Sequence, residues 1–393
     1  MKTVEKTALL SFFSNKKFRN ALTQICVVGV FSIILYWLIN GTIHNLHERG
    51  IVSGFDFLNA RVGFASPSNA FVFFTANSTN LVALLCAIAN TIIMAIICII
   101  AATIIGLFVG IGRMSNNWLL RNCCLVYMEI FRNLPPLLVV LFWAFGIFKA
   151  FLPSVRESYS LGSSFFLNNQ GFYFPKILWG EWTWITFIVF LGGVVISLFI
   201  HHCSMKKQEK TGKKINTFKY YFLFLAFIPL CVFFTIGKPN GYDFPVLGRF
   251  NFSGGSTLPP ETVALFLALS LYTGALISET FRSGFMAVDK GFVEAASALG
   301  LKKNLIIRLI MLPLALRVIL PPLSSQYMNL MKNTSLGVAI GYSELMLVGK
   351  QIQNNTNQSL EIILIWIIVY LGLSLLISLT MNWFNRKMEL EER

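Results

Sequence analysis

Charged residues are scarce in this sequence. Only 12% of its 393 residues are Asp, Glu, Lys or Arg, whereas a soluble domain typically carries about 25%. The acids total 17 against 37 phenylalanines, and 55% of the residues are hydrophobic. So few charges cannot cover a globular surface in contact with water, which excludes a soluble protein. The chain is therefore predicted to be an integral membrane protein.

Motifs for disulfide, metal and nucleotide chemistry are missing as well. The 7 cysteines are odd in number and contain no C-x-x-C pair, which argues against a disulfide framework or a zinc site. The 4 histidines have no acidic or cysteine partner at ligand spacing. No G-x-x-x-x-G-K-[ST] sequence occurs, so the chain lacks a phosphate-cradling loop and is predicted not to hydrolyse ATP.

Long apolar runs are what the sequence does contain. A helix that crosses a membrane needs about 20 mostly apolar residues, and about eight runs approach that length. Their approximate bounds are 21–39, 84–111, 123–151, 182–200, 220–236, 262–277, 318–340 and 362–384. Pro135 and Pro136 interrupt the third run, so its first part is predicted to lie along the membrane interface. The fold class is therefore an all-α, polytopic membrane protein with about eight transmembrane helices.

The net charge of +15 comes from basic residues spread over short segments between the apolar runs. They form no groove-like cluster and no nucleic-acid motif, so no nucleic-acid partner is predicted. Lys and Arg are concentrated in alternate loops, which indicates that the basic N-terminal segment lies inside. An even number of spans then places both termini in the cytoplasm. A cleaved signal peptide is the alternative, but no small-x-small site follows Asn40 and Gly41.

The most informative segment follows the sixth run. Good helix formers from 292 to 299 end at Gly300, a residue suited to the left-handed position that terminates a helix. A second helix is predicted from 303 to 312, stopping before Pro313. Glu294 is placed near the start of the first helix, where its charge suits the helix dipole. Taken alone, this pattern fits either an exposed elbow that another protein grips or an ordinary amphipathic loop.

The spacing decides between these interpretations. It reads E-A-A, three residues, G, nine residues, I-x-L-P, which resembles the coupling loop of the membrane subunits of bacterial ABC importers. Every specified position is occupied, by Glu294, Ala295, Ala296, Gly300, Ile310, Leu312 and Pro313. Ser297 and Leu314 depart from residues common in the family, at positions that the signature leaves open.

Two further segments indicate which group of ABC importers the chain resembles. Residues 129–135, E-I-F-R-N-L-P, are similar to a segment of the polar-amino-acid permeases of the histidine and glutamine type. Residues 330–336, L-M-K-N-T-S-L, resemble another. The layout, with a leading span and two extra spans, most resembles the larger permease subunits of general L-amino-acid transporters.

The resemblance implies a type I importer transmembrane domain and a division of labour. Residues 1–80 would form an N-terminal anchor span and periplasmic loop, and 81–393 the transmembrane domain, with an insert at about 153–260 and a coupling loop at about 289–317. The chain would be a non-enzymatic permease subunit in the bacterial inner membrane. It would bind no cofactor itself, since ATP and Mg would be held by partner subunits.

The partners that this resemblance implies are two ATPase subunits, a second permease subunit of different sequence, a periplasmic amino-acid-binding protein and the lipid bilayer. L-amino acids would be the substrate. The sequence alone does not identify the substrate range or the role of the insert.

A polar stripe in the seventh run provides candidates for the translocation path. Ser325, Gln326, Asn329, Lys332 and Asn333 recur at three- and four-residue intervals, which places them on one helix face. Such a stripe is costly against lipid and should face protein or a water-filled cavity. Two interpretations remain open: contact with the substrate, with Lys332 meeting a carboxylate, or hydrogen bonding between helices.

Two Glu-x-Phe-Arg segments place Glu129 with Arg132, and Glu279 with Arg282, one turn apart near the inner membrane edge. They are predicted to form structural or gating ion pairs. Direct contact with the substrate is the alternative.

A second class of function is an ion-coupled secondary carrier for amino acids. Such a carrier would be expected to show repeated halves and broken helices with paired sites at mid-membrane. The short Glu-x-Phe-Arg echo is the only repeat found, and the loop signature favours the importer subunit.

Overall fold

Helices make up most of the computed structural model, which describes residues 16–48, 54–66, 71–211, 217–249 and 251–388. The α-helices in chain order are α1 (Lys16–Glu48), α2 (Asn80–Arg113), α3 (Trp118–Asn133), α4 (Pro136–Leu141), α5 (Thr183–Thr211), α6 (Phe218–Phe222), α7 (Ile228–Val232), α8 (Pro260–Met286), α9 (Lys290–Ala298), α10 (Lys303–Ile306), α11 (Leu312–Asn333), α12 (Leu345–Thr356) and α13 (Ser359–Met388). Segments with π-helical hydrogen bonding extend α4 (Phe142–Phe151), flank α7 (Leu223–Phe227 and Phe233–Gly237) and join α10 to α11 (Ile307–Met311). Short 3₁₀ helices are Asp56–Asn59, Val155–Glu157 and Thr334–Ile340.

Every one of the eight apolar runs is helical, but they are not equivalent. Within the described residues, 5 helices are long and apolar enough to cross a membrane, or 6 if the bent pair α3–α4 is one span. The apolar parts of the first and fifth runs, Leu22–Leu38 and Tyr220–Thr235, are shorter. The described residues therefore contain 5 or 6 candidate spans and two shorter apolar helices, the composition of a polytopic, mostly helical membrane protein.

The break in the third run is a sharp corner. The axes of α3 and of the helix that begins at Pro136 differ by 108°. Leu134 and Pro135 are extended, and Pro136 opens the new helix at its first turn, where a missing N–H costs nothing. The predicted change of direction at the two prolines is confirmed.

The centre of the molecule is the close contact between α2 and α8, the most extensive contact between two helices in the structure. Gly106 and Gly274 allow it. A Cβ at Gly106 would lie 2.5 Å from the Ile277 side chain, and one at Gly274 would lie 2.9 Å from Ile105. Small residues let membrane helices approach this closely and gain dispersion energy. Helices α11 and α13 pack around this pair.

Three antiparallel sheets, built entirely from residues 159–258, cover the end of the helical domain where α2 and α8 begin, here called the sheet end. The eight strands within the described residues are β1 (Tyr159–Leu161), β2 (Phe165–Asn168), β3 (Gly171–Phe174), β4 (Lys176–Leu178), β5 (Gly241–Asp243), β6 (Val246–Leu247), β7 (Phe252–Ser253) and β8 (Ser256–Leu258). One sheet has the order β1-β2-β3-β8, and β4–β5 and β6–β7 form the other two. Because β8 leads directly into α8, the sheets are tied to the core helix.

A helical hairpin connects β4 to β5. Its arms are α5 and the helix that runs from α6 through α7, and they pack on each other at Gly193, whose absent side chain leaves room for the Phe224 carbonyl. The two ends of the hairpin meet where Leu178 pairs with Gly241.

At the opposite end of the bundle from the sheets, here called the loop end, lie Arg113, the end of α8 and the α9–α10 elbow. From there α11 runs back toward the sheet end and passes into the 3₁₀ helix. Gly341 then takes a left-handed conformation, with φ of 80°, and reverses the chain into α12. This reversal buries Glu344 completely.

Glu344 ties three helices together. Its carboxylate accepts hydrogen bonds from the Met346 and Leu347 amides, at 2.8 and 2.9 Å, and so caps α12. The Tyr370 hydroxyl of α13 donates a third bond, at 2.9 Å. Thr91 of α2 accepts from the Leu345 amide at 3.1 Å. The described residues before α2 pack on this same region through Phe57, Val62 and Phe74.

Candidate coupling loop and translocation path

The predicted elbow is present, although its first helix differs in extent from the prediction. Helix α9 begins at Lys290 and is capped by Asp289, whose carboxylate accepts from the Gly291 amide at 2.9 Å. Glu294 therefore lies in the middle of the helix and not near its start, because Asp289 supplies the cap that the sequence analysis overlooked. The side chain of Glu294 is exposed.

The left-handed conformation predicted at Gly300 is confirmed, with φ of 74°. The Gly300 and Leu301 amides donate to the carbonyls of Ser297 and Ala296, which closes the end of α9. Ala296 is buried, whereas Phe292 and Leu299 are exposed. The elbow therefore presents two large apolar side chains and the Glu294 carboxylate at the surface.

The second helix of the elbow does not stop before Pro313, contrary to prediction. It continues from α10 through the π-helical segment into α11, so Ile310, Leu312 and Pro313 lie on one uninterrupted helix. Proline lacks the N–H that an α-helix would use, and the wider π turn before it alters the hydrogen-bond pattern at that point. The elbow is thus joined to a long helix that runs toward the sheet end.

The polar stripe lies on the face of α11 that the chain leaves uncovered. Ser325, Asn329 and Lys332 are exposed, and Gln326 and Asn333 are partly exposed. The opposite face is buried by Leu323, Leu330 and Met331, and Tyr327 shares a 2.7 Å hydrogen bond with Thr103 of α2. The stripe is therefore not used for hydrogen bonding inside this chain's own core.

Glu279 and Arg282 form an ion pair, with 2.7 Å between the Arg282 guanidinium and the carboxylate. Arg113 at the end of α2 bonds the same carboxylate. The Arg113 side chain is only 7% exposed, so Glu279 supplies the counter-charge for a buried guanidinium. Arg113 is not predictable from the sequence, since nothing in the local sequence indicates that the ends of α2 and α8 meet.

We expect Glu279→Gln to lower the thermal midpoint of the detergent-solubilised chain. The substitution leaves the buried Arg113 without a counter-charge, and losing a charged hydrogen-bond partner costs about 1–3 kcal/mol. The matched control is Glu181→Gln, which removes an exposed carboxylate. A midpoint equal to that of the control would contradict a stabilising role for the triad.

The other predicted pair is not formed. Glu129 accepts a hydrogen bond from the Asn133 side chain, at 3.4 Å, and no ion pair with Arg132 is found among the described residues. Both side chains are exposed. Exposed pairs one turn apart gain little from contact, which explains why this one is absent.

Comparison with known proteins agrees with this architecture. Residues 214–390 match the family described as "Binding-protein-dependent transport system inner membrane component". The chain belongs to this family: it is a permease subunit of an ABC importer, with a type I transmembrane domain, and a multi-pass protein of the inner membrane. Permeases of this kind are not themselves enzymes, and they work with ATPase and binding-protein partners. The family does not favour an ion-coupled carrier.

Within the family, three relatives match nearly the whole chain. The general L-amino acid transport system permease AapQ of Rhizobium johnstonii is 45% identical, over 96% of this chain and 94% of that protein. The putative amino-acid ABC transporter permease YhdX of Escherichia coli is 39% identical, over 97% of both. The glutamate/glutamine/aspartate/asparagine transport system permease BztB of Rhodobacter capsulatus is 34% identical, over 96% and 95%.

Proposed function

We propose that this chain forms half of the path by which L-amino acids cross the inner membrane. A second permease of different sequence supplies the other half, two ATPase subunits drive the cycle, and a periplasmic protein delivers the substrate. The observation that carries the proposal is the exposed elbow with Glu294 on α9 and left-handed Gly300 at its end. The elbow is the surface that an ATPase subunit would bind.

The loop end is then cytoplasmic and the sheet end periplasmic. Arg113, Arg282, Lys302 and Arg308 lie at the loop end, and α13 ends there with Arg386 and Lys387. An excess of Lys and Arg marks the cytoplasmic side. Both termini are proposed to be cytoplasmic, although residues 1–15 and 389–393 lie outside the described residues. ATP and Mg are proposed to bind to the partner ATPases, since this sequence has no P-loop.

The exposed stripe on α11 is proposed to line the path. Facing the second permease across a water-filled gap, Gln326, Asn329 and Asn333 would offer amide groups, and Lys332 would offer a positive charge. A charge held in such a gap is tolerated because water replaces lipid around it. An amino acid carries a carboxylate that Lys332 can bind.

Lys332→Ala is expected to reduce uptake at least about tenfold, because one charge-assisted hydrogen bond is worth roughly 1.5–3 kcal/mol. Membrane abundance should not change, since the side chain is exposed. The measurement is initial uptake of labelled L-glutamine at matched abundance, with Lys350→Ala, also exposed on a neighbouring helix, as control. If abundance falls as much as uptake does, the side chain has a structural role.

Purification of the tagged chain in mild detergent tests the proposed function. We expect an ATPase and a second permease to co-purify, and reconstituted vesicles to take up amino acids only when ATP is present on the ATPase side. A complex without an ATPase, together with uptake driven by an ion gradient, would overturn the proposal in favour of a secondary carrier.

A further inference from the structure

A polar cavity of about 360 Å³ lies at the sheet end, between the strands and the start of α8. Its size falls in the range of small-molecule sites. The walls come from three parts of the chain: Lys149 from the helix after the proline corner, Asn169 and Tyr173 from the β2–β3 region, and Glu261 from the first turn of α8. The cavity thus depends on the insert, for which the proposed function gives no role.

Two opposite charges line this cavity without meeting. The Lys149 ammonium lies 4.9 Å from the centre of the Phe145 ring. Within the described part of the chain, neither Lys149 nor Glu261 is within ion-pair distance of an opposite charge. The face of an aromatic ring attracts a cation, and the exposed Lys149 side chain remains open to a ligand. A molecule with both a negative and a positive group would satisfy both charges at once.

Asn169 forms part of the cavity wall. Its side-chain oxygen is enclosed by the protein and is not open to the cavity. The Asn169 backbone is held in place by the bond from its amide to the Pro153 carbonyl, at 3.0 Å.

The rest of the wall is rigid. The Tyr173 hydroxyl donates a hydrogen bond to the side-chain oxygen of Asn251, at 2.8 Å. The Phe252 amide donates a second bond to that Asn251 oxygen, also at 2.8 Å. Burial raises the pKa of Tyr173, so its hydroxyl stays protonated and remains a donor. A preformed wall of this kind lowers the entropy cost of binding.

We propose that this cavity binds the zwitterionic backbone of a free α-amino acid. Lys149 binds the α-carboxylate, and Glu261 accepts hydrogen bonds from the α-ammonium group. The site lies at the periplasmic end of the path and holds the substrate after the binding protein releases it. The inference rests on the proposed function, since the orientation makes this end the point of entry.

Equilibrium binding to the purified transporter complex, without the binding protein, tests the site. The probes are L-glutamine, glutaramic acid, which lacks the α-ammonium group, and 4-aminobutanamide, which lacks the α-carboxylate. We expect saturable binding of L-glutamine and at least about tenfold weaker binding of the other two, because each loses one charge-assisted contact. Equal binding of glutaramic acid, or no saturable binding of L-glutamine, would overturn the proposal.

Variants locate the binding within the complex. Lys149→Met and Glu261→Gln should each weaken L-glutamine binding about tenfold or more, whereas Lys176→Ala and Glu157→Gln, at exposed positions of the insert, should not. Unchanged affinity in both Lys149→Met and Glu261→Gln would place any binding elsewhere and refute the site. ATP-driven uptake by the wild-type complex is measured in the same preparation. If it is present, loss of the site leaves the importer function standing, and if it is absent, the proposed function itself fails.

Discussion

Reversing the charge at Glu294 is expected to abolish ATP-driven uptake while leaving the permease in the membrane. The side chain is exposed on α9, so Arg at this position disturbs no packing within the chain. A partner surface that binds the Glu294 carboxylate is expected to be positively charged, and Glu294→Arg would place a second positive charge against it. Like charges across an interface cost several kcal/mol, which is enough to separate the ATPase from the elbow.

The experiment compares uptake and ATPase co-purification for Glu294→Arg at matched membrane abundance. Glu157→Arg, an exposed reversal at the sheet end, is the control. Gly300→Pro should give the same loss by another route, because proline fixes φ near −65° and the elbow requires 74°. Near-normal uptake in both Glu294→Arg and Gly300→Pro would refute the coupling role of the loop.

Glu344→Leu is expected to cause the largest loss of stability among the single substitutions considered. Leucine leaves the Met346 and Leu347 amides and the Tyr370 hydroxyl without their acceptor. Each buried donor left unpaired costs about 1–3 kcal/mol, so the total is on the order of 3 kcal/mol or more. The chain should then be found at low abundance and with a clearly reduced thermal midpoint.

Glu344→Gln distinguishes the loss of stability caused by missing hydrogen bonds from the loss caused by removing the negative charge. Its carbonyl oxygen still accepts hydrogen bonds, so it should retain part of the stability that the leucine variant loses. Glu181→Leu is the control, because that carboxylate is exposed. Thermal midpoints that are the same for Glu344→Leu and the control would show that the buried carboxylate does not hold α12 and α13 together.

The features that sequence could predict are those with local causes. A helix end at Gly300 depends on the conformational freedom of one residue, and a corner at two prolines depends on missing N–H groups. The stripe on α11 follows from helical spacing alone. Each of these is present in the structure.

The features that sequence missed depend on contacts between distant segments. Arg113 meets Glu279, Glu344 meets Tyr370 and Leu345 meets Thr91 only once the helices have packed. Spacing along one helix also gave a wrong prediction, because Glu129 and Arg132 lie one turn apart but do not form an ion pair. The continuous helix through Pro313 was missed because single-residue rules do not include π turns.

The helical hairpin formed by α5 and the α6–α7 arm is inserted between two neighbouring strands of one sheet. The chain leaves the sheet at Leu178 and returns at Gly241, which are neighbours in the β4–β5 ladder. A tight two-residue turn can close two antiparallel strands, so a shorter chain could join these strands directly and keep the sheet unbroken. The pairing of β4 with β5 therefore sets the positions of both ends of the hairpin, and a change in the length of its arms leaves that pairing intact.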